Sequence, residues 1–124
     1  MAQEAKRGVI YNFIEKDGGI KNKVLVVSAE HRREDNIISI LMLGTKYTGK
    51  DCIEIILGEE KWFVHCGLVT YTSRTRLGEE VGKIDEEAQR RITNNMAYQL
   101  GINENMDYKK LYEDILQKIT EGKS

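Results

Sequence analysis

The sequence predicts a single α+β domain, mainly β, in which short antiparallel strands form a small barrel or a strongly bent sheet followed by two helices. Short apolar runs separated by turn signals fill residues 1–84, a pattern typical of such sheets. That part also holds nine of the 11 glycines. From residue 85 onward, apolar residues recur every three to four positions, as on one face of a helix. No low-complexity linker separates the parts, so residues 1–124 are expected to form one domain.

The predicted strands are rich in β-branched and aromatic residues. A turn signal, Lys16–Gly19, follows the first of them, because its glycines can adopt positive φ. The second and third runs are apolar throughout, which is typical of central strands buried on both faces. The strands are predicted at Gly8–Ile14, Val24–Ser28, Ile37–Leu43, Cys52–Leu57, Trp62–Cys66, Leu68–Thr72 and, as a short last strand, Val81–Ile84.

Each predicted helix begins at an aspartate that can cap it and ends at a glycine. Asp85 and Gly101 bound the first helix, and Asp107 and Gly122 bound the second. We expect the apolar stripe of the second helix to pack on the sheet, with a dimer or partner surface as the alternative. The stripes consist of Ala88, Ile92, Met96 and Leu100 in the first helix and of Tyr108, Leu111, Tyr112, Ile115, Leu116 and Ile119 in the second.

Composition excludes several classes of function. The charges of the 19 basic and 20 acidic residues nearly cancel, so the chain is not a strongly basic nucleic-acid-binding protein, although a local basic patch is allowed. No apolar run is long enough for a membrane span, and the N-terminus lacks the apolar stretch of a signal peptide. Cys52 and Cys66 lack C-x-x-C spacing, so we expect reduced, buried thiols in a cytoplasmic protein and no metal site.

Basic residues gather around the second predicted strand. Lys21 and Lys23 precede its apolar run, and His31, Arg32 and Arg33 lie in the loop that follows. One interpretation is a loop that faces the phosphates of a nucleic acid. The alternative is a solvated loop whose charges are balanced by neighbouring carboxylates.

Two further clusters mix hydroxyls with cations or an aromatic ring. Arg74 and Arg76 lie among threonines and a serine, a mixture that can bind phosphates but also occurs in ordinary polar loops. Thr45 follows a buried strand that would hold its hydroxyl rigidly, and Tyr47 is placed to stack on a base, although an exposed loop tyrosine is equally ordinary.

Three stretches carry a resemblance to a known family. They are 6–11, 18–28 with the buried run that ends at Gly44-Thr45, and 69–77 followed by 82–87 and 100–102. In order and spacing they resemble the MazF/PemK toxins, the endoribonuclease half of toxin–antitoxin pairs. The resemblance covers residues 6–102, and residues 103–124 look like a helical extension of the common core.

The resemblance implies a small SH3-like barrel of the CcdB/MazF type, a homodimer, and cleavage of single-stranded RNA without metal or cofactor. It also implies an antitoxin protein as partner. In that chemistry the ribose 2′-OH attacks the neighbouring phosphate and leaves a 2′,3′-cyclic phosphate and a 5′-hydroxyl. The reaction requires a base, an acid and donors for the charge on the phosphorus oxygens.

The resemblance assigns Thr45 to the family's hydroxyl position, at the end of the third strand. Asn22-Lys23 stands where the family has an Arg-Pro pair, and Thr70 stands where it has a later arginine. The predicted catalytic residues are therefore Thr45, Lys21, Lys23 and His31, and the predicted RNA contacts are Arg32, Arg33, Tyr47, Arg74 and Arg76. His65 could also transfer protons, but its place in an apolar strand favours a structural role.

The two missing arginines favour an alternative function, a non-catalytic module on the same barrel. Such a module would bind nucleic acid or a protein, as the CcdB toxins bind DNA gyrase. A third hypothesis is a regulatory protein in which the terminal helix covers the groove.

Overall fold

In the computed structural model of the protein, residues 4–99, 101 and 117 are described. Within them the chain is mainly β, with one antiparallel sheet and one α-helix, which confirms the predicted class. The strands are β1 (Val9–Ile14), β2 (Ile20–Val26), β3 (Ile37–Gly44), β4 (Cys52–Leu57), β5 (Glu60–His65), β6 (Thr70–Ser73) and β7 (Leu77–Lys83), and the helix is α1 (Glu86–Gln99). The predicted second helix and its stripe lie, Gln117 apart, outside the described residues.

The sheet curls because one strand pairs with different partners along its length. The strand order is β4-β5-β3-β2-β1-β7, and β6 pairs with β3 off this path. The first half of β3 pairs with β6, from Ile37 to Ile40, and its end pairs with β5 at Leu43 and Gly44. The result is a curled antiparallel sheet with β4 and β7 at the ends of its main path.

Apolar residues alternate along the strands and form a core on each face of the sheet. Ile10, Leu25 and Leu41 lie side by side in one cross-strand row and belong to the core that α1 covers. Tyr11 and Val24 lie in the next row and belong to the core on the opposite face. This double burial explains why the central strands carry apolar runs instead of an apolar–polar alternation.

The buried Tyr11 ties the N-terminal segment to the sheet. Its hydroxyl donates to the carbonyl oxygen of Glu4 at 2.9 Å and accepts from the backbone N–H of Lys6 at 3.1 Å. Burial raises the pKa of Tyr11, because the phenolate would lose its hydration there. The hydroxyl therefore stays protonated and keeps both hydrogen bonds.

The predicted turn and the predicted boundaries of the first helix are confirmed. Gly18 in the β1–β2 turn has φ +85°, which favours glycine. The Asp85 carboxylate accepts the backbone N–H of Ala88 at 2.7 Å, the contact of an N-cap. Gly101 has φ +75° and donates its N–H to the carbonyl of Tyr98, as at a helix C-terminus. No helix of the described residues is long and apolar enough to cross a membrane.

Three strands begin earlier than predicted, β5 by two residues at Glu60 and two others by four residues. β2 begins at Ile20, four residues before the apolar run, because Asn22 and Lys23 pair with Phe13 and Asn12 of β1. β7 begins at Leu77 because it pairs along β1 at the sheet edge, even though it is rich in glycine and glutamate. In both strands, backbone pairing overrides weak intrinsic β-propensity.

Candidate active site

The start of β2, the end of β3 and the middle of β5 lie side by side at one end of the sheet. Lys23 pairs with Leu43, which in turn pairs with Val64. The β2–β3 pairing ends at Lys23 and Leu43, so Lys21 and Thr45 each lie two residues beyond the last pair on neighbouring segments. Three of the four predicted catalytic residues, Lys21, Lys23 and Thr45, therefore lie at the same end of the β2–β3 pair, whose strands are about 4.8 Å apart.

Lys23 is held in a defined position at this end of the sheet. Its ammonium group donates to the side-chain oxygen of Asn12 at 3.1 Å. It also lies 5.1 Å from the centroid of the Trp62 ring, within the range of a cation–π contact. No carboxylate within the described residues forms an ion pair with Lys23. Lys23 is half-buried, so its ammonium group is held in one orientation and can still contact an anion.

A recess next to Lys21 contains Arg76. The Arg76 guanidinium donates to the carbonyl oxygen of Ile14 at 2.9 Å and stacks on the Phe13 ring, 4.3 Å from its centroid. It lies 3.8 Å from the Glu15 carboxylate, which also accepts the Asn22 amide. The walls of the recess are formed by Glu15, Lys16, Asp17, Lys21 and Arg76. The predicted contact Arg76 therefore lies near the lysines of β2.

The other predicted catalytic residue, His31, lies elsewhere. It belongs to a short 3-10 turn at Glu30–Arg32, beyond the end of β2 that lies away from Lys23. Its recess is lined by Glu30, Arg33 and Glu34. The structure therefore does not bring His31 together with Lys21, Lys23 and Thr45.

The two arginines of that turn contact carboxylates. The Arg32 guanidinium lies 2.7 Å from Asp35, and that of Arg33 lies 3.8 Å from both Glu4 and Glu30. This is the arrangement expected of a charge-balanced loop, the alternative raised by the sequence. The assignment of Arg32 and Arg33 as RNA contacts stays a prediction.

Arg74 and Tyr47 lie at opposite ends of β3. Arg74 begins a 3-10 turn before β7, and its backbone N–H donates to the carbonyl of Asn36 at the start of β3. Its Nε is buried and makes no hydrogen bond within the described chain. Tyr47 is 62% exposed and meets Phe63 edge-to-face, with ring centroids 5.9 Å apart. These two rings offer an aromatic surface beside Thr45.

A histidine that the sequence assigned a structural role lies at the same end of the sheet. Nδ1 of His65 is 3.2 Å from the Cys52 sulfur and 3.4 Å from the Thr48 hydroxyl. Nε2 points toward the backbone of Gly44, where an added Cβ would lie only 2.8 Å from it. The next residue along the chain is Thr45. His65 is partly exposed, so it is not an enclosed core histidine.

The register of one hairpin could have revealed this pair. Cys52 and His65 each lie six residues from the two-residue β4–β5 turn, Gly58-Glu59, so pairing from the turn outward makes them direct cross-strand neighbours. The contact was missed because Cys52 and His65 were considered one at a time. Cys66, the neighbour of His65, points into the core, and burial raises the pKa of its thiol to about 12. Both cysteines are free and buried, as predicted.

Comparison with known proteins identifies the fold. No family model and no curated protein matches the sequence. Among solved structures, an endoribonuclease from a mycobacterial species is 19% identical with a TM-score of 0.67, and the match covers 82% of this chain and 96% of that one. The Mycobacterium tuberculosis toxin MazF-mt6 is 13% identical with a TM-score of 0.65, over 77% of this chain and 97% of that one. The chain has a MazF-like fold.

A MazE–MazF complex from Deinococcus radiodurans supports the same conclusion, with a TM-score of 0.65 at 14% identity over 79% of this chain and 96% of that one. The MazF-like core thus accounts for nearly the whole length of these proteins. The family resemblance drawn from the order of segments is confirmed at the level of the fold.

The structure shows what surrounds a residue at which the resemblance implied a departure from the family pattern. Asn22, assigned by the resemblance to the family's first arginine, donates to the Glu15 carboxylate, which Arg76 also approaches. A guanidinium therefore lies near this end of the sheet, supplied by the 3-10 turn before β7. Residues 4–99 hold no group of three or more His, Cys, Asp or Glu side chains placed to bind a metal ion.

Proposed function

We propose that the protein is a toxin-type endoribonuclease that cleaves single-stranded RNA by attack of the ribose 2′-OH on the adjacent phosphate, without metal. The observation that carries this proposal is the position of Lys23. Its ammonium group is fixed by Asn12 and Trp62, has no carboxylate partner among the described residues, and lies opposite Leu43, two residues before Thr45, in a MazF-like fold. The endoribonucleases among the solved neighbours support the reaction class.

Each group of the site has a proposed role in that reaction. Lys23 and the Thr45 hydroxyl stabilise the negative charge that develops on the phosphorus oxygens, because preorganised donors act most strongly where charge develops. Lys21 and Arg76 bind the flanking phosphates. Tyr47 stacks on an unpaired base next to the cleaved bond, since aromatic rings bind bases with little sequence preference.

The same comparison supports an antitoxin partner. Three of the solved neighbours are complexes, one of a mycobacterial endoribonuclease with its cognate antitoxin and two of MazE with MazF. We propose that this chain likewise forms a homodimer and is neutralised by an antitoxin protein that covers the Lys23 end of the sheet. An antitoxin there would compete with RNA for Lys21 and Lys23.

The test is an incubation with a long RNA of mixed sequence in EDTA, followed by mapping of the cut ends. We expect cleavage in unpaired regions by the wild-type protein. Lys23→Gln keeps an amide that can reach Asn12 but removes the charge, and we expect about 100-fold slower cleavage. The matched control is Lys83→Gln, because Lys83 is an exposed strand lysine at the end of β7, where it pairs with Val9 on the side of β1 away from β2. Intact RNA in the presence of folded wild-type protein would refute the proposal.

The second candidate is a non-catalytic module of the same fold that binds nucleic acid or a protein. The observation that favours it is the replacement of the family's two arginines by Asn22 and Thr70, since lysine does not copy the planar, two-pronged guanidinium. This candidate predicts retention of RNA or of a protein partner without new RNA ends. Cleavage that depends on Lys23 would exclude it.

A further inference from the structure

The two end strands of the sheet, β4 and β7, border an open groove. Within residues 4–99, β4 pairs only with β5, and β7 pairs only with β1. The two strands approach each other at one point, where an ideal Cβ on Gly82 would lie 3.1 Å from Leu57 Cδ2. Just before β4 begins, α1 contacts the chain, because the Asn95 amide donates to the carbonyl of Lys50 at 3.1 Å. The groove is lined by residues 54–57 of β4, by residues 83–85 and by Ala88 and Arg91 of α1.

The edge of β4 at this groove carries backbone groups that have no strand partner among residues 4–99. The β4–β5 hairpin has a two-residue turn, so Leu57 and Glu60 form the hydrogen-bonded pair that closes it. Hydrogen-bonded and non-hydrogen-bonded pairs alternate along an antiparallel ladder. Ile55 therefore directs its N–H and C=O toward β5, whereas Glu54 and Ile56 direct theirs away from β5. An extended chain along β4 would pair with these groups and continue the sheet.

This edge lacks the features that usually protect an edge strand. β4 contains no proline, its pairing with β5 shows no bulge, and its only charged residue is Glu54. Ile56 is 68% exposed, and the buried Ile84 and Ala88 line the groove from the α1-side core. An open, apolar strand edge of this kind is a template for pairing with another chain.

The charges that line the groove favour an acidic partner. The Glu54 carboxylate is paired with Lys61 at 3.1 Å, and the Asp85 carboxylate caps α1. Lys83 and Arg91 are exposed and form no ion pair among residues 4–99. Both carboxylates of the groove are therefore engaged, whereas both of its cations are available to an incoming anionic group.

Two other occupants fit these features less well. RNA would use the cations but not the backbone groups of β4 or the apolar side chains of the groove. Pairing of β4 with the β4 strand of a second copy would place two grooves with the same free cations side by side, and like charges in contact oppose association.

We propose that this groove binds an extended, acidic segment of a partner protein as an added strand on β4. The backbone of the segment pairs with Glu54 and Ile56. Its apolar side chains pack in the groove, and its carboxylates contact Lys83 and Arg91. Because β5 and β3 separate β4 from the strand that carries Lys23, this surface is distinct from the proposed RNA site, and its occupation does not depend on RNA cleavage.

The experiment measures binding of a fluorescent eight-residue peptide that alternates valine with glutamate to the full-length protein, by fluorescence anisotropy. The matched peptide alternates valine with lysine. We expect saturable binding of the glutamate peptide and at least about tenfold weaker binding of the lysine peptide, because only the first complements the free cations. Arg91→Glu should weaken binding of the glutamate peptide about tenfold. The control Arg90→Glu, on the same helix but outside the groove, should change it at most about twofold.

A backbone variant tests the strand pairing. Ile56→Pro removes the N–H that points away from β5 but no hydrogen bond of the β4–β5 ladder, and edge strands tolerate proline at such positions. We expect at least about tenfold weaker peptide binding by Ile56→Pro, and binding by Ile56→Ala, which keeps the N–H, within about threefold of the wild type. Should Ile56→Pro not fold, the wild-type protein is tested with glutamate peptides methylated on alternate backbone nitrogens. Methylation of one set should abolish binding, and methylation of the other set should not.

The absence of saturable binding by the full-length protein up to about 1 mM glutamate peptide would overturn the proposal. Equal binding of the glutamate and lysine peptides would do the same, as would wild-type affinity in folded Ile56→Pro or in both methylated peptides. Conversion of a dimer into a monomer by Ile56→Pro, without peptide binding, would assign the edge to a second copy instead. RNA binding that Arg91→Glu abolishes, again without peptide binding, would assign the groove to nucleic acid.

Discussion

Gly44→Ala perturbs the contact of His65 with the end of β3, next to Thr45 of the proposed site. The added Cβ would lie 2.8 Å from Nε2, whereas ordinary contact begins near 3.4 Å, so the imidazole or the backbone that leads to Thr45 must move by about 0.6 Å. A misplacement of about 1 Å can cost 100-fold in rate. We therefore expect RNA cleavage by Gly44→Ala to be about tenfold to 100-fold slower than that by the wild type.

The stability of this variant should barely change. Gly44 is not among the glycines with positive φ, so alanine fits its backbone without strain. Alanine is itself favoured over glycine in a strand by about 0.5–1 kcal/mol, which offsets the cost of moving a side-chain tip. Urea denaturation should give a free energy of unfolding within about 1 kcal/mol of the wild-type value. We therefore expect Gly44→Ala to cleave RNA more slowly while its free energy of unfolding stays close to the wild-type value.

Two controls complete the experiment. Gly49→Ala adds a Cβ that meets Asp51 at 3.4 Å, an ordinary contact in the same loop, and should leave the rate unchanged. In a His65→Ala background, Gly44→Ala should have no further effect, because the two residues act through one contact. Wild-type cleavage by Gly44→Ala, or an equal penalty in the His65→Ala background, would refute the reasoning.

Three further predictions concern the fold. Tyr11→Phe removes a buried hydroxyl that makes two hydrogen bonds and should cost about 1–3 kcal/mol by urea denaturation; an unchanged midpoint would contradict this role. Asp85→Ala removes the cap on Ala88 and should cost about 0.5–2 kcal/mol, with Asp85→Ser close to wild type. Burial raises the pKa of the Cys66 thiol from 9.0 to about 12, so the folded state keeps a proton that the unfolded state releases. Its contribution to stability is complete below pH 9 and is lost as the pH rises toward 12, by up to about 1.4 kcal/mol per pH unit, a slope that Cys66→Ala should lack.

The strands that were predicted most accurately are those with apolar runs bounded by turn residues. Cys52–Leu57 was predicted at its exact bounds, and Ile37–Gly44 to within one residue. Ile20–Val26 and Leu77–Lys83 were predicted too short, because their polar residues belong to strands only through pairing with β1. Such pairing is long-range, and local composition does not record it.

The site was only partly predictable, because long-range strand pairing also determines which of its residues meet. Lys23 and Thr45 were predicted from the family resemblance, and the pairing of β2 with β3 brings them to neighbouring segments. The contact of His65 with Cys52 was missed, because it follows from the register of the β4–β5 hairpin and not from the composition of either strand. The contact of Arg76 with the carbonyl of Ile14 joins residues 62 positions apart, so no local sequence pattern predicts it.

The most direct test of the central claim uses two RNA oligonucleotides of one sequence, chosen from a mapped cleavage site. One is all-ribose, and the other has a single 2′-deoxy sugar on the 5′ side of the cleaved bond. The account predicts that the protein, in EDTA, converts the first into a 5′-hydroxyl product and a 2′,3′-cyclic phosphate product detected by mass spectrometry, and leaves the second intact. Cleavage of the deoxy-substituted RNA at the same bond, or binding of the all-ribose RNA without cleavage, would contradict it.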